Sequence, residues 1–233
     1  MAREVLAIIP ARGGSKGIPR KNLARLNGRP LLAYTCRQAL AARTVTRVIL
    51  SSDDPAIAAC ARRCGVDVPF LRPAPLATDA TPMRDVIRHA LSALRRREGY
   101  RPDIIVVLQP TSPLRRPGDI DGAVRLLLRR RADVVVSVVE APHQFRPESL
   151  MRLKAGRLVP ASPGRMVLRR QDKSMAYARN GPAVLVMRRA VAERGTSLYD
   201  GVCVPFVMPP ERSVDIDRSV DMAVAQVLLS RAR

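Results

Sequence analysis

One loop, Pro10-Ala11-Arg12-Gly13-Gly14-Ser15-Lys16-Gly17-Ile18-Pro19-Arg20-Lys21-Asn22, carries the residue types that hold phosphate. Its three glycines let the backbone curl and come close to a ligand. Ser15 and the backbone N–H groups can donate to phosphate oxygens, and Arg12, Lys16, Arg20 and Lys21 add positive charge. Of 41 Lys and Arg residues only Lys16, Lys21, Lys154 and Lys173 are lysine, and two of these fall in this loop. A lysine is a mobile point charge and an arginine a planar fork, so these two lysines read as chemically chosen. The pattern Gly-x-x-x-x-Gly-Lys-Ser/Thr is absent, which argues against a Walker-type kinase or ATPase.

A second constellation is Ser213-Val214-Asp215-Ile216-Asp217. On an extended segment, residues i and i+2 point the same way, so both carboxylates face one side while Ile216 turns to the core. Two such carboxylates beside phosphates suit a hard cation, and Mg²⁺ is the expected cofactor. A third stretch, Leu108-Gln109-Pro110-Thr111-Ser112-Pro113-Leu114-Arg115, offers polar groups for a base, ribose or sugar just past an apolar strand. It reads equally as a capped turn. A fourth, Arg169-Arg170-Gln171-Asp172 with Tyr177 and Arg179-Asn180-Gly181, could clamp a carboxylate or be an exposed basic loop.

The elements that must position these groups alternate. Strands are expected at Val5–Ile9, Arg47–Ser51, Asp67–Phe70, Ile104–Leu108, Val134–Val139, Val184–Met187 and Val204–Val207. Helices are expected at Leu31–Ala42, Pro55–Cys64, Pro82–Arg97, Asp119–Arg130 and Ser219–Ser230. Continuous β-branched strands between helices predict an α/β, doubly wound, mostly parallel sheet. Ser51-Ser52-Asp53-Asp54-Pro55 offers an N-cap before an N1 proline, and Ser219 is expected to cap the last helix. The whole chain, 1–233, reads as one domain. Residues 141–180, rich in Pro, Gly and Arg, read as a dimerisation or sugar-binding excursion.

The net charge of +21 invites a nucleic-acid reading. Against it, the charge is dispersed, aromatics are 3% and Trp is absent, so base-stacking surfaces are poorly supplied. A general preference for arginine codons accounts for the charge. No apolar run approaches the ~20 residues that span a bilayer. Met1-Ala2-Arg3-Glu4 leads straight to a strand without a signal-peptide layout, so the cytoplasm is the expected location. Cys36, Cys60, Cys64 and Cys203 form no Cys-x-x-Cys pair, which disfavours structural zinc. His89 and His143 lack a visible nucleophile partner, and Gly-x-Ser-x-Gly is missing, which disfavours a hydrolase.

Taken together, the opening motif Ile9–Asn22, Leu76-Ala77-Thr78-Asp79, Gln109–Arg115, Arg179-Asn180-Gly181 and Ser213–Asp217 resemble the CMP-sialic acid synthetases (acylneuraminate cytidylyltransferases) over nearly the whole chain. The resemblance implies a Rossmann-like nucleotidyltransferase, Mg²⁺, and a homodimer. It implies transfer of CMP from CTP to a nine-carbon 2-keto sugar acid with release of pyrophosphate. It places Ala11, Arg12, Gly13, Ser15, Lys16, Lys21, Asn22 and Asp79 at the nucleotide, with Arg12 and Lys21 on the triphosphate. It makes Asp215 and Asp217 the metal ligands, and Gln109, Ser112, Arg170 and Arg146 contacts of the sugar acid. Two sugar-side features depart from the family. Arg146 is the one cation of Pro142–Glu148, where a lysine is usual, and no aromatic follows Asn180-Gly181 in Pro182–Val186. Sugar acids of the legionaminic or pseudaminic kind, an eight-carbon ulosonic acid, or a sugar phosphate are therefore alternative acceptors.

Overall fold

The computed structural model describes residues 3–161, 167 and 169–231. Along the chain run β1 (Val5–Pro10), β2 (Arg25–Leu26), β3 (Arg29–Pro30), α1 (Leu31–Leu40), β4 (Arg47–Ser51), α2 (Pro55–Arg63), α3 (Met83–Glu98), β5 (Ile104–Val107) and α4 (Pro117–Arg129). Then follow β6 (Val134–Glu140), β7 (Met151–Lys154), β8 (Arg157–Pro160), β9 (Tyr177–Arg179), β10 (Leu185–Arg188), α5 (Arg189–Arg194), β11 (Cys203–Val207) and α6 (Ser219–Arg231).

The main sheet has the order β11-β6-β10-β5-β1-β4, with β9 pairing the far end of β6. Five of its seven strands run one way, and β10 and β9 run against them. Strand β1 shows how both faces are covered. Val5, Ala7 and Ile9 pack with residues of α1, α2 and α4 on one side. Leu6 and Ile8 pack with residues of α3 and α5 on the other. Period-two alternation in a run that is apolar throughout demands helices on both faces, and the doubly wound architecture follows.

Asp54 caps α2 through its Oδ1, which accepts from the Ala56 and Ile57 N–H groups at 2.7 and 3.1 Å. Two local expectations are corrected. Asp67–Phe70 is not a strand but a single bridge from Ile49 to Asp67, because Pro69 has no N–H to extend the ladder. Ser219 does not cap the last helix. It is that helix's first residue, and the Asp221 carboxylate takes the Asp217 and Arg218 N–H groups at 3.0 and 2.8 Å.

The expected excursion 141–180 includes residues 162–166 and 168, which lie outside the described residues. Its described part holds short 3-10 turns and the hairpin β7–β8, and β9 returns the chain to β6.

Candidate functional site

At the carboxyl edge of the sheet lies a cavity of about 640 Å³. Parallel strands deliver their following loops to this edge, where open α/β sheets bind ligands. The loop after β1 forms one wall with Arg12, Ser15, Lys16, Lys21 and Asn22, and Gln109 and Thr111 after β5 form the floor. Because β10 is antiparallel, its leading turn, Asn180–Ala183, reaches the same edge. Asp215 and Asp217 line the cavity from a segment almost 200 residues further along the chain than the loop.

Each part is held from behind. Asn22 Nδ2 donates to the Arg12 carbonyl at 2.9 Å and closes the loop on itself. Ala11 is buried, with its N–H on the Ser51 carbonyl, and the Gly13 N–H bonds Asp53 Oδ1 at 3.1 Å, so both support the wall from outside the cavity. The Ile216 N–H donates to the Thr111 carbonyl at 2.8 Å, while the Ile216 side chain is wholly buried with Leu26, Leu31 and Leu114. That anchor turns the two flanking aspartates outward, as period-two spacing requires. Lys21 Nζ donates to the Ile216 carbonyl at 2.8 Å and to Asp217 Oδ1 at 2.9 Å. Two glycines let these parts meet. A Cβ on Gly17 would run into the Asp217 carbonyl oxygen, and one on Gly181 would sit 2.8 Å from the Asp215 carboxylate.

A buried polar chain fixes the Asn180 turn. Ser137 Oγ donates to Asn180 Oδ1 at 2.6 Å, and Asn180 Nδ2 donates to Ser213 Oγ at 2.9 Å. The chain links mid-sheet to the start of the aspartate segment, so a shift in one is felt in the other.

The carboxylates differ. Burial pushes the Asp215 carboxyl up, the nearby Thr111 hydroxyl offsets part of that, and the negative charge of Asp217 adds to the rise. Its Oδ1 is buried without a hydrogen-bond partner among the described residues. Asp217 is exposed. An orphaned anionic oxygen beside a second carboxylate fits a divalent cation. Among the described residues no three His, Cys, Asp or Glu side chains converge on one point. Two carboxylates suit a cation that would take its other ligands from phosphate oxygens and water, as Mg²⁺ commonly does.

The sugar-side candidates scatter. Gln109 lines the cavity. Ser112 does not, because its side chain is wholly buried. Arg115 is buried too, and binds the carbonyls of Gln109 and Ala183 and the side chains of Thr35 and Gln38, so it braces the floor from below. Arg146 is held outside the cavity by Glu140 at 2.8 Å and by the Ala141 and Lys173 carbonyls, where it roots the excursion. Arg170 lies exposed on a short turn away from the cavity lining.

Arg72 is a cavity residue that the motifs did not point to. It is 5% exposed, pairs with Asp53 at 3.6 Å, and has a buried Nε without a partner among the described residues. Its only sequence signal is an arginine before Pro73 after an apolar run.

Residues 6–187 match the family model described as cytidylyltransferase. The chain is 31% identical over 227 residues to a CMP-N,N'-diacetyllegionaminic acid synthase of Legionella pneumophila, covering 97% of this chain and 96% of that one. It is also 31% identical to an N-acylneuraminate cytidylyltransferase of Escherichia coli, covering 97% of this chain but 52% of that longer protein. In fold it is similar to a CMP:2-keto-3-deoxy-manno-octonic acid synthetase solved with CTP. The TM-score is 0.71 at 17% identity, over 99% of this chain and 100% of that one.

Proposed function

The chain belongs to the cytidylyltransferase family, among the CMP-sialic acid synthetases, and on that premise we propose that it transfers CMP from CTP to a nonulosonic-type 2-keto sugar acid. The observation that carries the reading is one cavity with a cationic glycine loop on one wall and an aspartate pair facing it. In the reaction the acceptor's anomeric hydroxyl attacks the α-phosphorus in line and gives up its proton to solvent, and pyrophosphate leaves with the electrons of the broken P–O bond. Arg12, Lys16 and Lys21 neutralise the charge that builds on the phosphates, with Ser15 donating beside them. Holding the two reactants together removes most of the entropic cost of their meeting. No covalent enzyme intermediate is required.

Asp215 and Asp217 would hold a divalent cation, Mg²⁺ in this reading. When bound, that ion would supply charge neutralisation and orientation at the phosphates. Gln109 is the cavity's own candidate for contact with the acceptor. Arg72, buried in the cavity lining, would donate to an oxygen of the bound substrate.

The protein is read as a homodimer of single-domain chains. Leu153 and Leu158 on the β7–β8 hairpin are 74% and 69% exposed, and a second copy would cover them. Light scattering at twice the 25.6 kDa chain mass is the expected result. No helix among the described residues is long and apolar enough to cross a membrane. Four free thiols suit a reducing compartment, and the cytoplasm is the location proposed.

Pyrophosphate release tests the function. CTP with a nonulosonic acid should release pyrophosphate, and ATP, GTP or UTP should release little. Release only with an eight-carbon acid or a sugar phosphate would move the acceptor class.

A further inference from the structure

The loop cations that would receive a triphosphate already hold a carboxylate. Arg12 Nη1 pairs with Asp79 Oδ1, and Lys16 Nζ lies 2.8 Å from Asp79 Oδ2. Asp79 reaches them from the opposite wall, on a braced turn. There the Thr78 and Thr81 hydroxyls bond at 2.8 Å, and Thr81 Oγ1 donates to the Pro75 carbonyl at 3.3 Å. Both side-chain oxygens of Asp79 face a cation, as two oxygens of a phosphate would.

We propose that Asp79 is a built-in stand-in for phosphate: it occupies Arg12 and Lys16 while the site is empty and is displaced by polyphosphate, so that nucleotide binding is an anion exchange. The inference rests on the reading of the loop as the triphosphate site. It gives Asp79 a role opposite to that of a nucleotide contact, since a carboxylate left beside bound phosphates repels them. It also explains why the pairs are exposed at the cavity mouth, with Lys16 at 80% and Asp79 at 43% of their side-chain surface. Exposed pairs are weak and exchange readily. A triphosphate, carrying several charges, competes well against one carboxylate. A phosphodiester, which bears a single charge at phosphorus even when its sugar acid adds a carboxylate elsewhere, competes poorly for the loop cations. Asp79 therefore favours the substrate over the product and restores the closed pairs as pyrophosphate leaves.

The test is calorimetry without divalent ions, with inorganic tripolyphosphate and cytidine as probes. Asp79→Asn keeps the shape and removes the charge. It should tighten tripolyphosphate on the order of 5-fold, the scale of a lost exposed ion pair, and leave cytidine unchanged. Asp79→Glu should return tripolyphosphate affinity toward the parent value. Equal or weaker tripolyphosphate binding by Asp79→Asn would overturn the proposal, as would equal tightening of cytidine. If the parent itself fails to bind tripolyphosphate, the triphosphate reading of the loop falls along with it. If the parent binds and Asp79→Asn does not tighten, only the exchange role falls.

Discussion

Lys21 joins the two halves of the site. Its side chain is 14% exposed, and its ammonium touches both the Ile216 carbonyl and Asp217. Lys21→Ala should lower kcat/KM with CTP by roughly 10²–10³-fold, the scale of losing one preorganised charge at a developing anion. Lys21→Arg should not restore it, because a planar fork cannot replace a point charge between two fixed oxygens. Steady-state rates with CTP check this, and near-parent turnover would contradict the role. Asp217→Ala should abolish the response to Mg²⁺ across a titration while leaving the melting temperature close to the parent's, since Asp217 is exposed and buries nothing. Parent-like activity at every Mg²⁺ concentration would remove it from the metal site.

Among the elements, the turns that carry the site have little tolerance. Gly17→Ala would push the loop off the Asp217 carbonyl, and a shift near 1 Å in such a site costs on the order of 10²-fold in rate. Turnover should fall by about that much while far-UV circular dichroism stays as in the parent. Unchanged turnover would mean that the loop and the aspartate segment need not touch. Six of the seven expected strands were legible in the sequence because Val5–Ile9 and its companions are apolar throughout and bounded by turn residues, whereas Asp67–Phe70 is only a bridge and the exposed β9 carried no apolar run. Strand direction was not. Val184–Met187 looks like any other buried strand, and only its pairing with β5 and β6 makes it antiparallel. That reversal brings Asn180-Gly181 to the carboxyl edge of the sheet, against Asp215, a consequence no local pattern encodes.

At the scale of the whole molecule, the cavity's cationic wall was more legible in the sequence than the rest of its lining. Phosphate needs glycine, hydroxyl and cation in one short run, and a chain poor in lysine makes Lys16 and Lys21 conspicuous. Sugar contacts come singly from distant loops, and arginines are common in this chain. Arg146 and Arg170 thus matched the expected type without lining the cavity, and Ser112 and Arg115 turned inward to brace it. Arg72 entered the cavity with no motif to mark it.

Mass spectrometry of the products formed from CTP and a mixture of nonulosonic acids tests the central claim most directly. The account predicts a CMP-sugar acid ester together with one pyrophosphate per transfer, and neither product without the acid. CDP with a phosphorylated sugar, or cytidine nucleotide hydrolysis with no sugar adduct, would contradict it.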